Sequence, residues 1–257
     1  MAFHSVILFF LGLAVSLFGT LMGAGGGFIL LPILYFLYPE ASANTLTSVS
    51  LAIVFLNAAS GSVAYAIQKK IDYRAGILFA LAALPGSIAG SFFTGYFSRR
   101  AFAGLFGTSL ILASIYFLLK PEPKGRSVDT CSESSQTHKR MGLGIFLSFF
   151  VGFISSLLGI GGGIIHVPIL VHLLGFRVHA ATATSHFILA ICAAVGVITH
   201  IAMGSFNSDF TPVIFVMAFS VIFGAQIGAK LSTRINGRVI VRLLAGALAL
   251  VGIRLFF

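Results

Sequence analysis

Eight apolar runs fill most of this 257-residue chain, and their lengths restrict its fold more than any other feature. Six of them have the 19 to 24 residues that a helix needs to cross a hydrocarbon core of roughly 30 Å. Only 9% of the residues are charged, whereas a soluble domain has about 25%. We therefore expect an all-α polytopic membrane protein rather than a soluble enzyme, a nucleic-acid-binding protein or a disordered chain. The runs lie at about 3–38, 45–67, 75–97, 101–119, 141–175, 180–203, 210–229 and 239–257.

Two of the runs, 3–38 and 141–175, are too long for one crossing, since a single helix of either length would reach about 50 Å. Glycines interrupt both of them, at Gly23-Ala-Gly-Gly-Gly27 and at Gly159-Ile-Gly-Gly-Gly163. Three consecutive glycines favour a break, because each costs about 1 kcal/mol relative to alanine within a helix. We expect each long run to be either a glycine-broken helix or a helical hairpin.

The two glycine breaks belong to an internal repeat. At an offset of 136 residues, the glycines and Pro32 of the first break match the glycines and Pro168 of the second. In the spans that follow, Thr45-Leu-Thr-Ser48 is aligned with Thr182-Ala-Thr-Ser185, and the pair Gly86 and Gly90 with Gly224 and Gly228. The sequence thus predicts two homologous transmembrane repeats, 1–119 and 141–257, joined by a polar cytoplasmic linker at 120–140.

The positions of the 16 Lys and Arg residues indicate how the two halves are oriented. If each long run were one broken span, the two sides of the membrane would carry 9 and 7 of these cations. If each long run returns at its glycines, the counts become 13 and 3. Because Lys and Arg accumulate in cytoplasmic loops, the second arrangement is favoured. It predicts inverted repeats, each with a broken run plus three spanning helices, and both termini outside the cytoplasm. The returning arms, 28–38 and 164–175, are either re-entrant or completed by extended chain.

The predicted interior contains no acidic residue. Glu40, Asp72, Glu122, Asp129, Glu133 and Asp209 all lie in loops or at span ends. This distribution argues against a carboxylate relay for protons, a cation site and an intramembrane enzyme. The histidines also lack the spacing of a zinc site, so no metal and no cofactor are expected. A pathway through the protein must use backbone dipoles, hydroxyls, amides and imidazoles.

Three groups of residues are candidates for binding an anion. The glycine breaks can present free N–H groups and the positive end of a helix dipole, although close helix packing also explains them. Hydroxyls at the start of the next span can line a path or cap the helix, and two histidines of the second half can donate to an anion, carry a proton or bond a neighbouring carbonyl. The candidate residues are Gly25, Gly26, Gly27, Thr45, Thr47, Ser48, Gly161, Gly162, Gly163, His166, Thr182, Thr184, Ser185 and His186.

Other polar or small residues are expected to pack. Small residues spaced four apart allow two helices to approach closely. We expect this role for Gly86, Ser87 and Gly90, and for the pair Gly224 and Gly228. Asn57 and Gln226 are expected to form hydrogen bonds between helices. Leu30 and Val49 are aligned with His166 and His186, so any site is predicted to be asymmetric.

The two glycine motifs, with the hydroxyl groups after them, resemble the TauE/SafE family of sulfite exporter-like permeases. The likeness rests on Gly23-Ala-Gly-Gly-Gly-Phe-Ile-Leu-Leu-Pro32 with Thr45-Leu-Thr-Ser48, and on Gly159-Ile-Gly-Gly-Gly-Ile-Ile-His-Val-Pro168 with Ala180-Ala-Thr-Ala-Thr-Ser185. It covers nearly the whole chain. The resemblance implies a multi-pass protein of a bacterial cytoplasmic (inner) membrane that moves sulfur-containing anions such as sulfite, sulfonates or sulfoacetate.

The expected function is therefore secondary transport of a small sulfur-containing anion by alternating access between inverted halves. A passive anion channel and a membrane scaffold without a ligand are the alternatives. The expected partners are a small anionic substrate and the lipid bilayer, and no nucleic acid. Proton coupling through His186 or His166, and a homo-oligomeric state, are both compatible with the sequence.

Overall fold

The computed structural model describes residues 2–119 and 134–255, with side chains described at 5–119 and 141–255. These residues form α-helices joined by turns and short helical segments, with no β-strand among them. The helices of the first half are α1 (Ala2–Leu21), α2 (Gly27–Leu37), α3 (Ala43–Ile67), α4 (Tyr73–Thr94) and α5 (Arg99–Leu119). Those of the second half are α6 (Ser134–Leu157), α7 (Gly163–Pro168), α8 (Val178–Ala202), α9 (Thr211–Ser232) and α10 (Gly237–Arg254).

Two short segments complete this order. A π-helical turn, Ile169–Leu173, continues α7, and a 3-10 turn, Ser208–Phe210, precedes α9. The predicted linker, 120–140, lies outside the described residues as far as residue 133, and its last residues belong to α6.

Within the described residues, five helical segments are long and apolar enough to cross a membrane: α3, α4, α5, α8 and the stretch Ser208–Ser232 that contains α9. Shorter apolar helices make up the arms of both broken runs. Many large apolar side chains point outward, such as Leu112 and Phe215, which suits a surface that contacts lipid. The prediction of an all-α polytopic membrane protein is confirmed.

Each broken run is a helical hairpin. Gly23, Gly25 and Gly26 have φ angles of 74°, 75° and 77°, in the left-handed region that favours glycine. Helix α9 runs parallel to α1. Gly12 lies against Met217, and Leu17, further along α1, lies against Gly228, further along α9. The end of α2 returns to the start of α9, where the ring centroids of Tyr38 and Phe210 are 4.9 Å apart. Helix α2 therefore runs back along α1.

The second hairpin is built in the same way. Gly159, Gly161 and Gly162 have φ angles of 65°, 81° and 99°. A Cβ atom placed on Gly144, in the first half of α6, would lie 3.6 Å from Leu173 Cδ2, at the end of the returning arm. The arm thus returns towards the side from which α6 starts.

Contacts between the two halves follow one pattern. Helix α1 packs along α9 as α6 packs along α4, and α3 packs on α9 as α8 packs on α4. The remaining large contacts join corresponding helices, α3 with α8 and α5 with α10. Helices α3 and α8 run antiparallel, because Gly61 lies at His186 while Gly196 lies at Leu51. Exchanging the two halves leaves this contact pattern unchanged.

The structure corrects the alignment of the hydroxyl residues. Helices α3 and α8 both have 25 residues and begin 135 residues apart. Thr47 packs on Gly159, and Thr182 packs on Gly23 in the same way. The predicted match of Thr45-Leu-Thr-Ser48 with Thr182-Ala-Thr-Ser185 is therefore wrong by two residues. By this register Leu51, and not Val49, is the counterpart of His186.

Candidate functional site at the glycine breaks

The two glycine breaks contact each other in the centre of the molecule. A Cβ atom on Gly27 would lie 2.9 Å from the carbonyl oxygen of Gly159, and one on Gly163 would collide with the carbonyl oxygen of Gly23. Gly25 and Gly161 both face Leu189 and Val54, which lie near the midpoints of α8 and α3. The breaks therefore meet halfway along the two central helices, where only glycine fits.

Helices α2 and α7 each start at this contact. Gly26 and Gly162 are the N-cap residues, both in the left-handed conformation and without a side chain to cap the helix. The carbonyl of Gly26 accepts from the N–H groups of Ile29 and Leu30 at 3.0 Å each. Within the described residues, the N–H groups of Gly27 and Phe28 have no acceptor. The start of α2 thus presents unpaired donors in a buried position.

Two serines tie the central helices to the breaks. The hydroxyl of Ser185 lies 3.0 Å from the carbonyl oxygen of Gly163 and 3.3 Å from that of Gly23. Ser50, its counterpart 135 residues earlier, donates to the carbonyl oxygen of Gly159 at 2.8 Å. Ser50 is not among the residues predicted from the sequence, because the hydroxyl motif was aligned in another register.

The candidate threonines and serines divide into two sets. Thr47 and Thr182 lie against the breaks, and their buried hydroxyls have no hydrogen-bond partner in the described part of the chain. Thr45, Ser48 and Thr184 do not reach the breaks.

Those three residues support helix ends instead. The hydroxyl of Thr45 lies 2.9 Å from that of Ser42, the N-cap of α3. Ser48 donates to the carbonyl oxygen of Thr45 at 2.8 Å, and Thr184 accepts from the backbone N–H of Asp72 at 3.0 Å. Capping explains these contacts.

The two candidate histidines have different surroundings. His166 Nδ1 lies 3.0 Å from the carbonyl oxygen of Gly162, one turn earlier in its own chain segment. His186 instead packs between helices, where the side of its ring that carries Nε2 fits against Gly61. Both imidazoles are fully buried, and each has one nitrogen without a hydrogen-bond partner among the described residues, Nε2 in His166 and Nδ1 in His186.

His186 belongs to a buried polar group that the sequence analysis did not assemble. The hydroxyls of Ser16 and Thr20 lie 2.7 Å and 2.8 Å from Asn57 Oδ1, and Asn57 Nδ2 donates to the carbonyl oxygen of Gly25 at 2.7 Å. Thr20 Oγ1 lies 3.5 Å from His186 Nε2. The hydroxyl of Tyr65 donates to the carbonyl oxygen of Thr20 at 2.7 Å. We call Ser16, Thr20, Asn57, Tyr65 and His186 the histidine cluster.

The corresponding part of the other half is built around hydroxyls, with Cys192 and His200 as the counterparts of Asn57 and Tyr65 in the 135-residue register. The hydroxyls of Ser87 and Ser156 form a short hydrogen bond, and Ser87 also donates to the carbonyl oxygen of Cys192 at 3.1 Å. A Cβ atom on Gly196 would lie 3.6 Å from the hydroxyls of both Ser156 and Ser91. We call Ser87, Ser91 and Ser156 the serine cluster. The predicted asymmetry of the interior is thus visible in the imidazole and amide that this cluster lacks.

The glycines expected to serve helix packing do so. Gly86 and Gly90 abut the backbone carbonyls of α6, as Gly224 and Gly228 abut those of α1. Gln226 donates to the backbone carbonyl of Ser60 at 2.8 Å, an inter-helix hydrogen bond as predicted. Asn57 also bonds other helices, but as the centre of a polar cluster.

The buried polar side chains of the described chain are all uncharged types or histidines. Of its acidic residues, Glu40, Asp72 and Asp209 are exposed. The same residues contain no group of three or more His, Cys, Asp or Glu placed to hold a metal ion. The interior can therefore offer hydrogen-bond donors and acceptors, but no fixed charge.

These features define a polytopic helical membrane protein whose uncharged polar groups gather around two opposed helix breaks. The chain belongs to the sulfite exporter TauE/SafE family, whose model matches residues 8–255.

Curated relatives agree with this assignment. A protein named probable membrane transporter protein YunE, from Bacillus subtilis, is 31% identical over 220 residues, which cover 79% of this chain and 80% of the relative. A probable membrane transporter protein of Methanocaldococcus jannaschii is 27% identical over 85% of this chain and 83% of its own length. One from Haemophilus influenzae is 29% identical over 74% and 70%. No solved structure matches the chain.

Proposed function

We propose that this protein is a secondary transporter of small sulfur-containing anions, such as sulfite or organosulfonates, in a bacterial cytoplasmic membrane. The observation that carries the proposal is the collection of buried donors at the meeting point of the breaks. These are the N–H groups at the start of α2, the hydroxyls of Thr47, Thr182 and Ser185, and the histidine cluster. Donors without nearby carboxylates suit an anion. The proposal includes no enzymatic activity and no cofactor.

Alternating access between inverted halves is part of this proposal. Helix α3 packs antiparallel on α8, and α5 packs antiparallel on α10. This packing supports a two-fold axis perpendicular to the helices, which would relate the two halves in inverted orientation. Ser114 of α5 donates to the carbonyl oxygen of Ala245 in α10, whereas Gly107 lies at Gly252, so these two helices are also antiparallel. Inverted halves of this kind are common in secondary transporters with sites at broken helices.

Burial favours a carrier over a passive channel. Thr47, Thr182, Ser185 and His186 have no exposed surface. A substrate can reach these groups only if the helices around them move. A carrier requires such a movement in every cycle, whereas an open pore would leave the same groups in contact with water.

Counterflow in proteoliposomes tests the proposal. Vesicles loaded with unlabelled sulfite are diluted into labelled sulfite, with sulfoacetate, thiosulfate and sulfate as competitors. A carrier is expected to accumulate label transiently and to lose that accumulation when a transported competitor is added. Protein-free vesicles measure the sulfite that crosses the lipid by itself. Folded protein that moves none of these anions would overturn the substrate class, and uptake without counterflow would indicate a channel.

A further inference from the structure

The histidine cluster can accept a charge that the serine cluster cannot. The two groups occupy equivalent places, since Thr20 and Ser156 are 136 residues apart, the same offset as between the breaks. Serine hydroxyls do not gain a proton near neutral pH, whereas an imidazole does. The imidazole of His186, whose counterpart in the 135-residue register is Leu51, is therefore a titratable group that the serine cluster lacks.

The hydrogen bonds of the cluster determine which nitrogen is free. Asn57 Nδ2 donates to Gly25, so its Oδ1 faces the hydroxyls and accepts from Thr20. With its proton given to Asn57, the Thr20 hydroxyl can only accept from His186 Nε2. The neutral ring is therefore assigned its hydrogen on Nε2. Nδ1 keeps a lone pair, and it is buried without a partner among the described residues.

A proton on Nδ1 would solve the electrostatic problem of moving an anion through this interior. An isolated anion and an isolated imidazolium are each costly to bury, but together their charges cancel. The buried side chains of the described chain include no Lys or Arg that could neutralise the anion. Anion and proton therefore increase each other's affinity for the same site.

The other buried histidines are less suited to this role. His166 is held by the carbonyl oxygen of Gly162 at the start of its own helix. His200 lies in the last turn of α8, and no hydrogen bond joins its ring to another described residue. His186 alone among them is recorded in contact with two hydroxyl-bearing side chains from other helices, Thr20 and Tyr65.

We propose, resting on the transport function above, that the histidine cluster is the substrate site and that one anion binds there together with one proton on His186. The proton comes from the aqueous side to which the site is open. It leaves with the anion on the other side, so the protein is a proton-coupled anion carrier. When the anion binds, the hydroxyls of Ser16 and Thr20 turn their hydrogens from Asn57 Oδ1 to the anion's oxygens, and Asn57 Nδ2 offers the second of its two hydrogens.

The groups that face His186 are consistent with this role. Helix α1 contributes Thr20, and α3 contributes Asn57, Gly61 and Tyr65, whose ring centroid lies 5.8 Å from that of His186. Tyr65 is the titratable side chain in this set, and its hydroxyl donates a hydrogen bond to a backbone carbonyl. Asp72, at the start of α4, touches α8 at Thr184 and directs its carboxylate to the N–H of Ala75. No carboxylate is therefore recorded against the ring within the described residues.

Uptake driven by a pH gradient tests the inference. Proteoliposomes with the membrane potential clamped at zero receive labelled sulfite or labelled sulfoacetate at an outside pH one unit below the inside pH. A tenfold proton gradient can drive an accumulation ratio of up to about tenfold for each coupled proton. The test variant is His186→Gln, which keeps a polar side chain but cannot carry the proton. The matched control is His200→Gln, at a buried histidine in the last turn of α8 outside the candidate site. Protein-free vesicles correct for sulfite that crosses the lipid in protonated form.

We expect wild type and His200→Gln to accumulate the anion, and His186→Gln to reach a ratio near one while it remains folded by size-exclusion chromatography. Retained accumulation in His186→Gln would overturn the inference, as would a loss in His200→Gln alone. If His186→Gln does not fold, Thr20→Val replaces it, with at least a fivefold loss of apparent affinity expected and unchanged affinity as the contrary result. Wild-type counterflow without a response to pH overturns the coupling only, whereas no wild-type counterflow overturns the proposed function.

Discussion

At the scale of single residues, the glycine breaks depend on positions that tolerate no side chain. Gly25 has a φ of 75°, and a Cβ there would collide with the Leu189 side chain. Gly104, in α5, has nothing within 4 Å of the same position. The two glycines form a matched pair, one required by the break and one free to change.

Gly25→Ala is expected to destabilise the protein by more than the roughly 1 to 2 kcal/mol that a left-handed alanine costs, because the collision adds to it. Gly104→Ala is expected to be neutral or slightly stabilising, since alanine favours the helix. Thermal unfolding in detergent measures both. Adding Leu189→Ala to Gly25→Ala should relieve the collision but not the backbone strain. Equal stability of the two single variants would contradict the structure of the break.

Ser185 and Thr184 are neighbours in the chain with different tasks. Ser185 bonds the breaks, whereas Thr184 holds the start of α4. We predict that Ser185→Ala weakens anion binding at least severalfold, while Thr184→Val leaves affinity unchanged and costs about 1 kcal/mol of stability through its lost hydrogen bond. Substrate-dependent thermal shifts report affinity, and unfolding without substrate reports stability. An unchanged affinity in Ser185→Ala removes this serine from the site.

The sequence predicts the breaks well but the site only in part. Glycine triplets and the lengths of the apolar runs are local properties, so the helix bounds follow from them. Contacts across helices are not local: Thr45, Thr47, Ser48 and Ser50 share one short segment, and only packing selects Thr47 and Ser50. Likewise, Ser16 and Thr20 read as ordinary residues of an apolar helix until α3 brings Asn57 beside them.

At the scale of elements, the ends of the two returning arms are fixed by different means. In the second half, Gly175 takes a φ of 73°, and the N–H of Phe176 bonds the carbonyl oxygen of Leu170 at 3.0 Å, as in a glycine-terminated helix. In the first half, the guanidinium of Arg99 bonds the carbonyl oxygens of Tyr35, Tyr38 and Ala41. The charge counts assigned Arg99 only to a side of the membrane and gave no sign of this contact.

Arg99→Gln is predicted to loosen the end of α2. A cation at this position donates hydrogen bonds to free carbonyls and interacts favourably with the negative end of the helix dipole. The expected loss is about 1 to 2 kcal/mol, since the side chain is only half-buried. Hydrogen exchange of residues 35–41 should rise relative to the exposed neighbour variant Arg100→Gln. The same exchange in both variants would show that the contact does not hold the hairpin.

At the scale of the whole molecule, the orientation in the membrane remains a prediction. Single cysteines at Lys70 and Arg100, with Cys131 and Cys192 replaced by alanine, place the two ends of α4. The charge distribution predicts that an impermeant thiol reagent labels Arg100→Cys in intact cells and Lys70→Cys only after lysis. The opposite pattern would contradict the predicted orientation, and labelling of both in intact cells would contradict a single crossing by α4.

The central claim is that the meeting point of the breaks opens to one side of the membrane and then to the other. Ser50→Cys, without the native cysteines, places a reporter against Gly159, where the wild-type side chain has no exposed surface. In right-side-out and inside-out vesicles, we expect impermeant thiol reagents to reach it from both sides, and the substrate to slow both reactions. A reporter that stays unlabelled from both sides while counterflow continues would place the pathway elsewhere and contradict the account.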